Sequence, residues 1–271
     1  MSKASQAAFE SLRAKAAKQS QPTAWRLGVE LVGPWAIGGA DELPAPGQAL
    51  IWFGADGVAR ARLGDAAKAA IVEAVGPGSL DIAVSLGEGA SLRWLASRES
   101  GCQASSRKIE VELGERALLE MVSSFGLADG ESHAEMLGVH FLGKSAAASL
   151  VGRYAQDDRS SLCQEVMGHI GKSAAGAQFS QSAKTLRFGH PALSLIEPNL
   201  KVEVDEASAS HGAAHGAVSP EALHALQARG IDAGDALAML RGAFLRQPWE
   251  AAGATAGELG QLQIKEEQPW S

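Results

Sequence analysis

His211 and His215, four residues apart, are the most suggestive chemical pair in the sequence. A neutral imidazole binds iron and exchanges protons near neutral pH. On a helix an i, i+4 pair would share a face and could hold a metal. Here Gly212 and Gly216 follow the two histidines, so the segment reads as a turn and His215 as simply exposed. One histidine cannot hold a metal cluster, so any further ligands at His211 would come from a partner. The plainer alternative is a turn histidine bonded to backbone. His133, His140, His169, His190 and His224 are scattered and read as surface or satisfied positions.

The cysteines offer less. Cys163, between Leu162 and Gln164, reads as a small buried apolar residue, and Cys102, after Gly101, as an exposed loop thiol. Two cysteines make no disulfide framework and lack the close spacing of a zinc or cluster motif. A reduced, cytoplasmic setting is the expectation. Gly143-Lys144-Ser145 and Gly171-Lys172-Ser173 imitate the end of a phosphate-binding loop without its upstream glycine, and no Gly-x-Ser-x-Gly elbow occurs. The chain is therefore not expected to be an enzyme in its own right.

The elements that carry these residues show themselves as a repeat. Leu86-Gly87-Glu88-Gly89-Ala90 recurs as Leu113-Gly114-Glu115-Arg116-Ala117, as Leu142-Gly143-Lys144-Ser145-Ala146 and as Ile170-Gly171-Lys172-Ser173-Ala174, at intervals of 27, 29 and 28 residues. Leu63-Gly64-Asp65-Ala66-Ala67 is a degenerate earlier copy. Leu80, Ile82, Val84 and Leu86 alternate with more polar or smaller residues, as do Ile109, Val111 and Leu113, which is the period of a half-buried strand. The glycine is read as tolerating positive φ in a turn. A strand–turn–strand unit of near-constant length cannot bury its face alone, whereas stacked units can, so the expected fold is mainly β, a β-solenoid. A β-sandwich with similar hairpins is the alternative.

Flanking segments have their own signals. The first 45 residues hold a short helix around Phe9 and Leu12, with Trp25 and Trp35 as anchors beyond it. Lys3, Arg13, Lys15 and Lys18 against Glu10 fit that helix better than a targeting segment. After a solenoid over 46–218, Ser219-Pro220-Glu221 starts a helix, Gly230 ends it, and Asp232 caps a second. Leu223 and Leu226 lie on one face of the first helix, and Leu237, Leu240 and Phe244 on one face of the second. These two short helices make 219–250 a partner-docking region, and 251–271 reads as a disordered tail. The formal charge of −7, from 24 basic and 31 acidic residues, argues against nucleic acid. No apolar run is long enough to span a membrane.

The stretch from about Ala175 to Phe244 resembles the C-terminal core of the SufB/SufD family. The resemblance rests on Gly176-Ala177-Gln178, Gln181-Ser182-Ala183-Lys184-Thr185-Leu186, Pro191-Ala192-Leu193, Ser210-His211-Gly212-Ala213, Glu221-Ala222-Leu223 and Arg229-Gly230-Ile231-Asp232, in that order. The turn around His211 is closer to SufD than to SufB, although Ala209 stands where a cysteine often precedes the Ser-His pair. The resemblance implies a right-handed parallel β-helix followed by helices. It implies a scaffold that pairs with a SufB-like subunit, with a homodimer as an alternative. The SufC-like ATPase would be held through the C-terminal helices, here Leu223, Leu226, Leu237, Leu240 and Phe244. His211 would sit at the interface where a transient iron–sulfur cluster forms, with no cofactor bound stably by the chain alone. Two competing functions remain. One is a β-helix carbohydrate-active enzyme using Arg153, Asp157, Asp158 and Arg159, a cluster that a solvated loop also explains. The other is a solenoid interaction protein without a cluster role.

Overall fold

The computed structural model describes residues 3–18, 35–37, 42–53, 58–98 and 101–261. Trp25 and the end of the expected tail, 262–271, lie outside them. Helix α1 (Lys3–Ala17) precedes fourteen strands: β1 (Trp35–Ile37), β2 (Ala49–Phe53), β3 (Val58–Leu63), β4 (Lys68–Val75), β5 (Gly78–Leu86), β6 (Ser91–Arg98), β7 (Ala104–Leu113), β8 (Leu118–Leu127), β9 (Ser132–Phe141), β10 (Ala147–Gln156), β11 (Ser161–Ile170), β12 (Gln178–Arg187), β13 (Leu193–Val202) and β14 (Ser208–Ala217). Helices α2 (Pro220–Gln227), α3 (Ala233–Ala251) and α4 (Ala256–Gln261) follow.

The strands form a parallel β-solenoid. Odd-numbered strands from β3 to β13 make one sheet and even-numbered strands from β4 to β14 the other, each pairing with the strand two further along the chain. Ala104 pairs with Ser132, Ser132 with Ser161 and Ser161 with Leu193, so each rung sits on the one before it. β2 is the exception, antiparallel to β3. Among the described residues no helix is long and apolar enough to cross a membrane.

Alternation along each strand sends one set of side chains into the space between the sheets. Leu86, Leu113, Phe141 and Ile170 stack there at the strand ends, all buried. Complete burial of each such side chain contributes about 1.5–3 kcal/mol. The register revises one detail of the repeat. Leu113 pairs with Phe141, so Leu142 is an extra residue that the sequence pattern aligns with Leu113, and it is 53% exposed.

The turn glycines have a different cause from the expected one. Positive φ falls two residues later, on Ala66, Gly89, Arg116 and Ser145. The glycines are needed because rungs touch at the turn. A Cβ on Gly114 would lie 2.8 Å from the Leu86 carbonyl oxygen, and one on Gly143 would lie 2.1 Å from the Glu115 nitrogen. The close approach lets the ladder continue around the corner. Gly114 N–H donates to Leu86 O, and Arg116 N–H to Lys144 O on the next rung. The alanines that close the motif, Ala90, Ala117 and Ala146, are fully buried, where a larger side chain has no room.

Helices cover parts of both outer faces. Phe9 of α1 packs with Ala134 and Cys163 on the odd-numbered sheet, with Leu12, Met136 and Leu195 around them. Arg13 pairs with Asp81 at 2.9 Å. On the even-numbered sheet Trp249 of α3 is buried against Val72, Leu95 and Val122. The caps form as the sequence indicates: the Ser219 hydroxyl accepts from Ala222 N–H at 3.2 Å, and Asp232 accepts from Gly234 and Asp235 N–H at 2.7 and 3.0 Å. Gly230 has φ +85°, and Ile231 N–H reaches back to Leu226 O, a Schellman ending.

Two expectations about this end need correction. The second helix is 19 residues long rather than short. The expected disorder from 251 onward does not hold up to Gln261. Arg93 donates to the carbonyls of Ala252 and Gly253 and pairs with Glu258 of α4, while Leu259 packs beside Trp249. Low apolar content suggested disorder, but one arginine on β6 gathers the orphan carbonyls at the end of α3.

The turn geometry yields a stability test. Gly143→Ala should destabilise by about 3 kcal/mol, the upper part of the range for overpacking a rigid site. Gly171→Ala, whose Cβ would lie 3.3 Å from the nearest atom, the Phe141 carbonyl oxygen, should cost far less. Urea-unfolding midpoints of the two variants measure the difference; equal losses would mean that rung contact does not select the glycine.

Candidate functional site

The last rung is where the chain presents its suggested chemistry. β13 and β14 each pair on one side only, so among the described residues both leave a free strand edge. α2 packs on α3 and leaves β14 uncovered. β14 reads Ser-Ala-Ser-His-Gly-Ala-Ala-His-Gly-Ala, with nine of its ten residues exposed and no charged residue or proline to discourage pairing.

His211 and His215 sit on this strand rather than in the expected turn. They occupy positions that continue the inner columns of the solenoid: His211 pairs with Gln181, and His215 with Thr185. At a rise of about 3.3 Å per residue, four positions along a strand separate them by roughly 13 Å, too far to share a metal. His215 is held in place, with Nδ1 2.8 Å from Thr185 Oγ1 and 3.3 Å from Ser194 Oγ. His211 is exposed at the open end of the solenoid. It presents a single imidazole on a strand with one free edge.

The expected docking residues lie together at the other helical feature. Leu223, Leu226, Leu237, Leu240 and Phe244 are all half-buried in the α2–α3 hairpin. Met239 is 47% exposed on the same hairpin. Leu245 and Trp249 turn the C-terminal half of α3 onto the solenoid instead.

Other candidate groups are committed elsewhere. Arg153 donates to the Gly152 carbonyl, Asp157 pairs with Arg241, Asp158 accepts from His190 N–H at 2.6 Å, and Arg159 pairs with Asp129. These contacts staple turns and anchor α3; they do not gather into a cleft. Cys163 is buried beneath α1, where burial pushes its thiol pKa up to about 12. Cys102 is buried too, not exposed as its loop position suggested; Arg98 draws the loop inward by donating to the Cys102 carbonyl. His133 is buried with Nδ1 2.8 Å from Ser105 Oγ, and burial, reinforced by Arg107 and Arg98, holds its pKa well below the usual histidine range. His140 has a raised pKa through its hydrogen bond to Glu110, whose carboxylate reaches it over Gly138. Among the described residues no three metal-ligating side chains converge.

Sequence reasoning missed the polar network inside the solenoid. Arg107, fully buried, donates to Glu135 at 2.6 Å, to Glu73 at 2.6 Å and to Ser123 at 2.7 Å. Trp94 Nε1–H adds a bond to Glu73 at 2.8 Å, and Tyr154 and Gln164 meet Glu135 from the next rungs. Burial raises the pKa of Glu73, partly countered by Arg107 and Trp94. Arg107, despite burial, is kept charged by Glu135 and Glu73. The one available signal was register: Arg107, Glu135 and Gln164 fall on a single inward column once the rungs are aligned.

The raised pKa sets a sign. As pH rises above the ordinary glutamate range, the unfolded chain ionises Glu73 while the folded chain resists. Its contribution to stability is therefore full below about pH 4 and declines until the folded group ionises. Relative to wild type, Glu73→Gln should become steadily more favourable as pH is raised above about 4, until the folded group ionises. A stability difference independent of pH in urea unfolding would show that Glu73 ionises normally.

Comparison with known proteins bears on the same region. The family model described as SUF system FeS cluster assembly, SufBD core domain, matches residues 79–244. A search of curated proteins finds no match. The family match runs from β5 through the open rung and into α3, well over half of the chain, and the chain belongs to the SufBD core-domain family of the SUF iron–sulfur cluster assembly system.

Proposed function

We propose that the chain is a SufD-like scaffold subunit of a cytoplasmic SUF complex, without catalysis of its own. It pairs with a SufB-like subunit through the open rung, and the nascent cluster forms there as cargo, with His211 contributing a ligand or a proton acceptor. A SufC-like ATPase docks on the α2–α3 hairpin. The observation that carries this reading is the uncovered β14 edge, which places an exposed imidazole on a strand that lacks the usual protections against pairing. The Ser210-His211-Gly212-Ala213 sequence favours the SufD-like over the SufB-like role. A homodimer through the same edge is the second reading, favoured by the uncharged and small side chains of β14. Commitment of Asp157, Asp158 and Arg159 to turn contacts speaks against a carbohydrate-cleaving groove.

His211→Ala should block cluster accumulation in the complex co-expressed with SufB-like and SufC-like subunits. Its elution should be unchanged, because an exposed strand histidine contributes little packing, about 1 kcal/mol at most. His215→Ala is the paired control and should act weakly. Iron and sulfide content read the result; a normally eluting His211→Ala complex with wild-type iron would remove His211 from the site.

Docking on the hairpin is tested separately. Met239→Asp places a charge on its most exposed apolar side chain and should weaken co-purification of the ATPase at least tenfold, the equivalent of about 1.4 kcal/mol. Undiminished capture would move the ATPase site elsewhere.

A further inference from the structure

A small cavity lies inside the solenoid between β8, β10 and β12 of one sheet and β9 and β11 of the other. Ser123, Glu135, Leu150, Gly152, Gln164 and Gln181 are among its lining residues, and it leaves about 10 Å³ to the centre of a water molecule. That is the lower end of what one water needs. Gly152 stands in the inner column between Ser123 and Ala183, and the Tyr154 ring packs where its side chain would be, 2.7 Å from the position of a Cβ.

Polar atoms line the cavity without protein partners. Gln164 and Gln181 are only 4% and 5% exposed, and the Oε1 atom of each has no hydrogen-bond partner in the protein. The orientation of Gln164 is fixed, since its amide nitrogen donates to Glu135 at 2.7 Å and contacts the Tyr154 hydroxyl. Turning it over would set its oxygen against the carboxylate. An orphaned amide oxygen in a core costs about 1–3 kcal/mol, and both glutamines line this one cavity. Both oxygens accept, so the occupant must donate twice.

Charge chooses between a water and a cation. Arg107 neutralises Glu135, and burial disfavours a second carboxylate charge on Glu73. The surroundings are then close to neutral, which suits an uncharged donor. We propose that the cavity is a built site for one water molecule that donates to the side-chain oxygens of Gln164 and Gln181. The water carries the buried network onward from Glu135 and Gln164 to β12, where Gln181 pairs with His211 on the open rung. The site stands on this geometry alone and does not depend on the cluster role of His211.

A high-resolution crystal structure of the full chain tests it, with a second crystal soaked in rubidium chloride. The expected result is one density peak about 2.7–3.2 Å from both glutamine oxygens, without rubidium anomalous scattering. Gln181→Leu should abolish the peak. A cavity empty in the wild-type crystal, a rubidium signal within it, or a peak that survives Gln181→Leu would each overturn the assignment.

Discussion

Everything in this molecule depends on one strand of each sheet holding the next at about 4.8 Å, in parallel and in register. The ladder does not stop at the strand ends. Gly87 N–H bonds to Leu63 O, Gly114 N–H to Leu86 O, and the turn residues between them bond to the following turn. A slip by one residue would turn every inward side chain outward, so the apolar columns and the backbone corners enforce the same register. The glycines are the geometric condition for this agreement. Rungs bonded through their corners cannot be kept apart by a side chain at the point of contact.

The same register gathers charge inside. Arg107, Glu135 and Gln164 occupy one column on three successive rungs, and Glu73, Ser123 and Tyr154 face them from the opposite sheet. Burying a guanidinium and its carboxylate partner costs several kcal/mol per ion before their contacts offset it. The network is therefore no simple source of stability. Its bonds have direction, unlike the methyl contacts around it, and they tie β4, β6, β7, β8, β9, β10 and β11 across the sheets.

The architecture was legible because it repeats. Alternation in β5 and β7, the recurring Leu-Gly turns and the caps at Ser219 and Asp232 are local signals, and local signals survive in one sequence. What remained hidden required knowing which residues become neighbours. The turn reading of His211 followed from Gly212 and Gly216, but strand pairing with β12 overrides glycine's local preference. Cys102 looked exposed because its loop position does not show that Arg98, four residues earlier, draws its carbonyl inward. Arg93 likewise orders the segment after α3 from more than 150 positions away. Nothing local marks Arg107 as a buried charge. Only the stacking of whole rungs brings Glu73 and Glu135 to it.

Helix α1 adds a consequence for the order of assembly. It precedes every strand in the chain, yet it lies across β7, β9 and β11, with Phe9 against Ala134 and Cys163. On a ribosome its seat does not exist until β11 has been made. Helix α1 must therefore wait for its full seat while rung after rung is laid down. When it finally docks it binds several separately formed rungs at once. Its arrival marks the completion of the central solenoid and closes over Cys163.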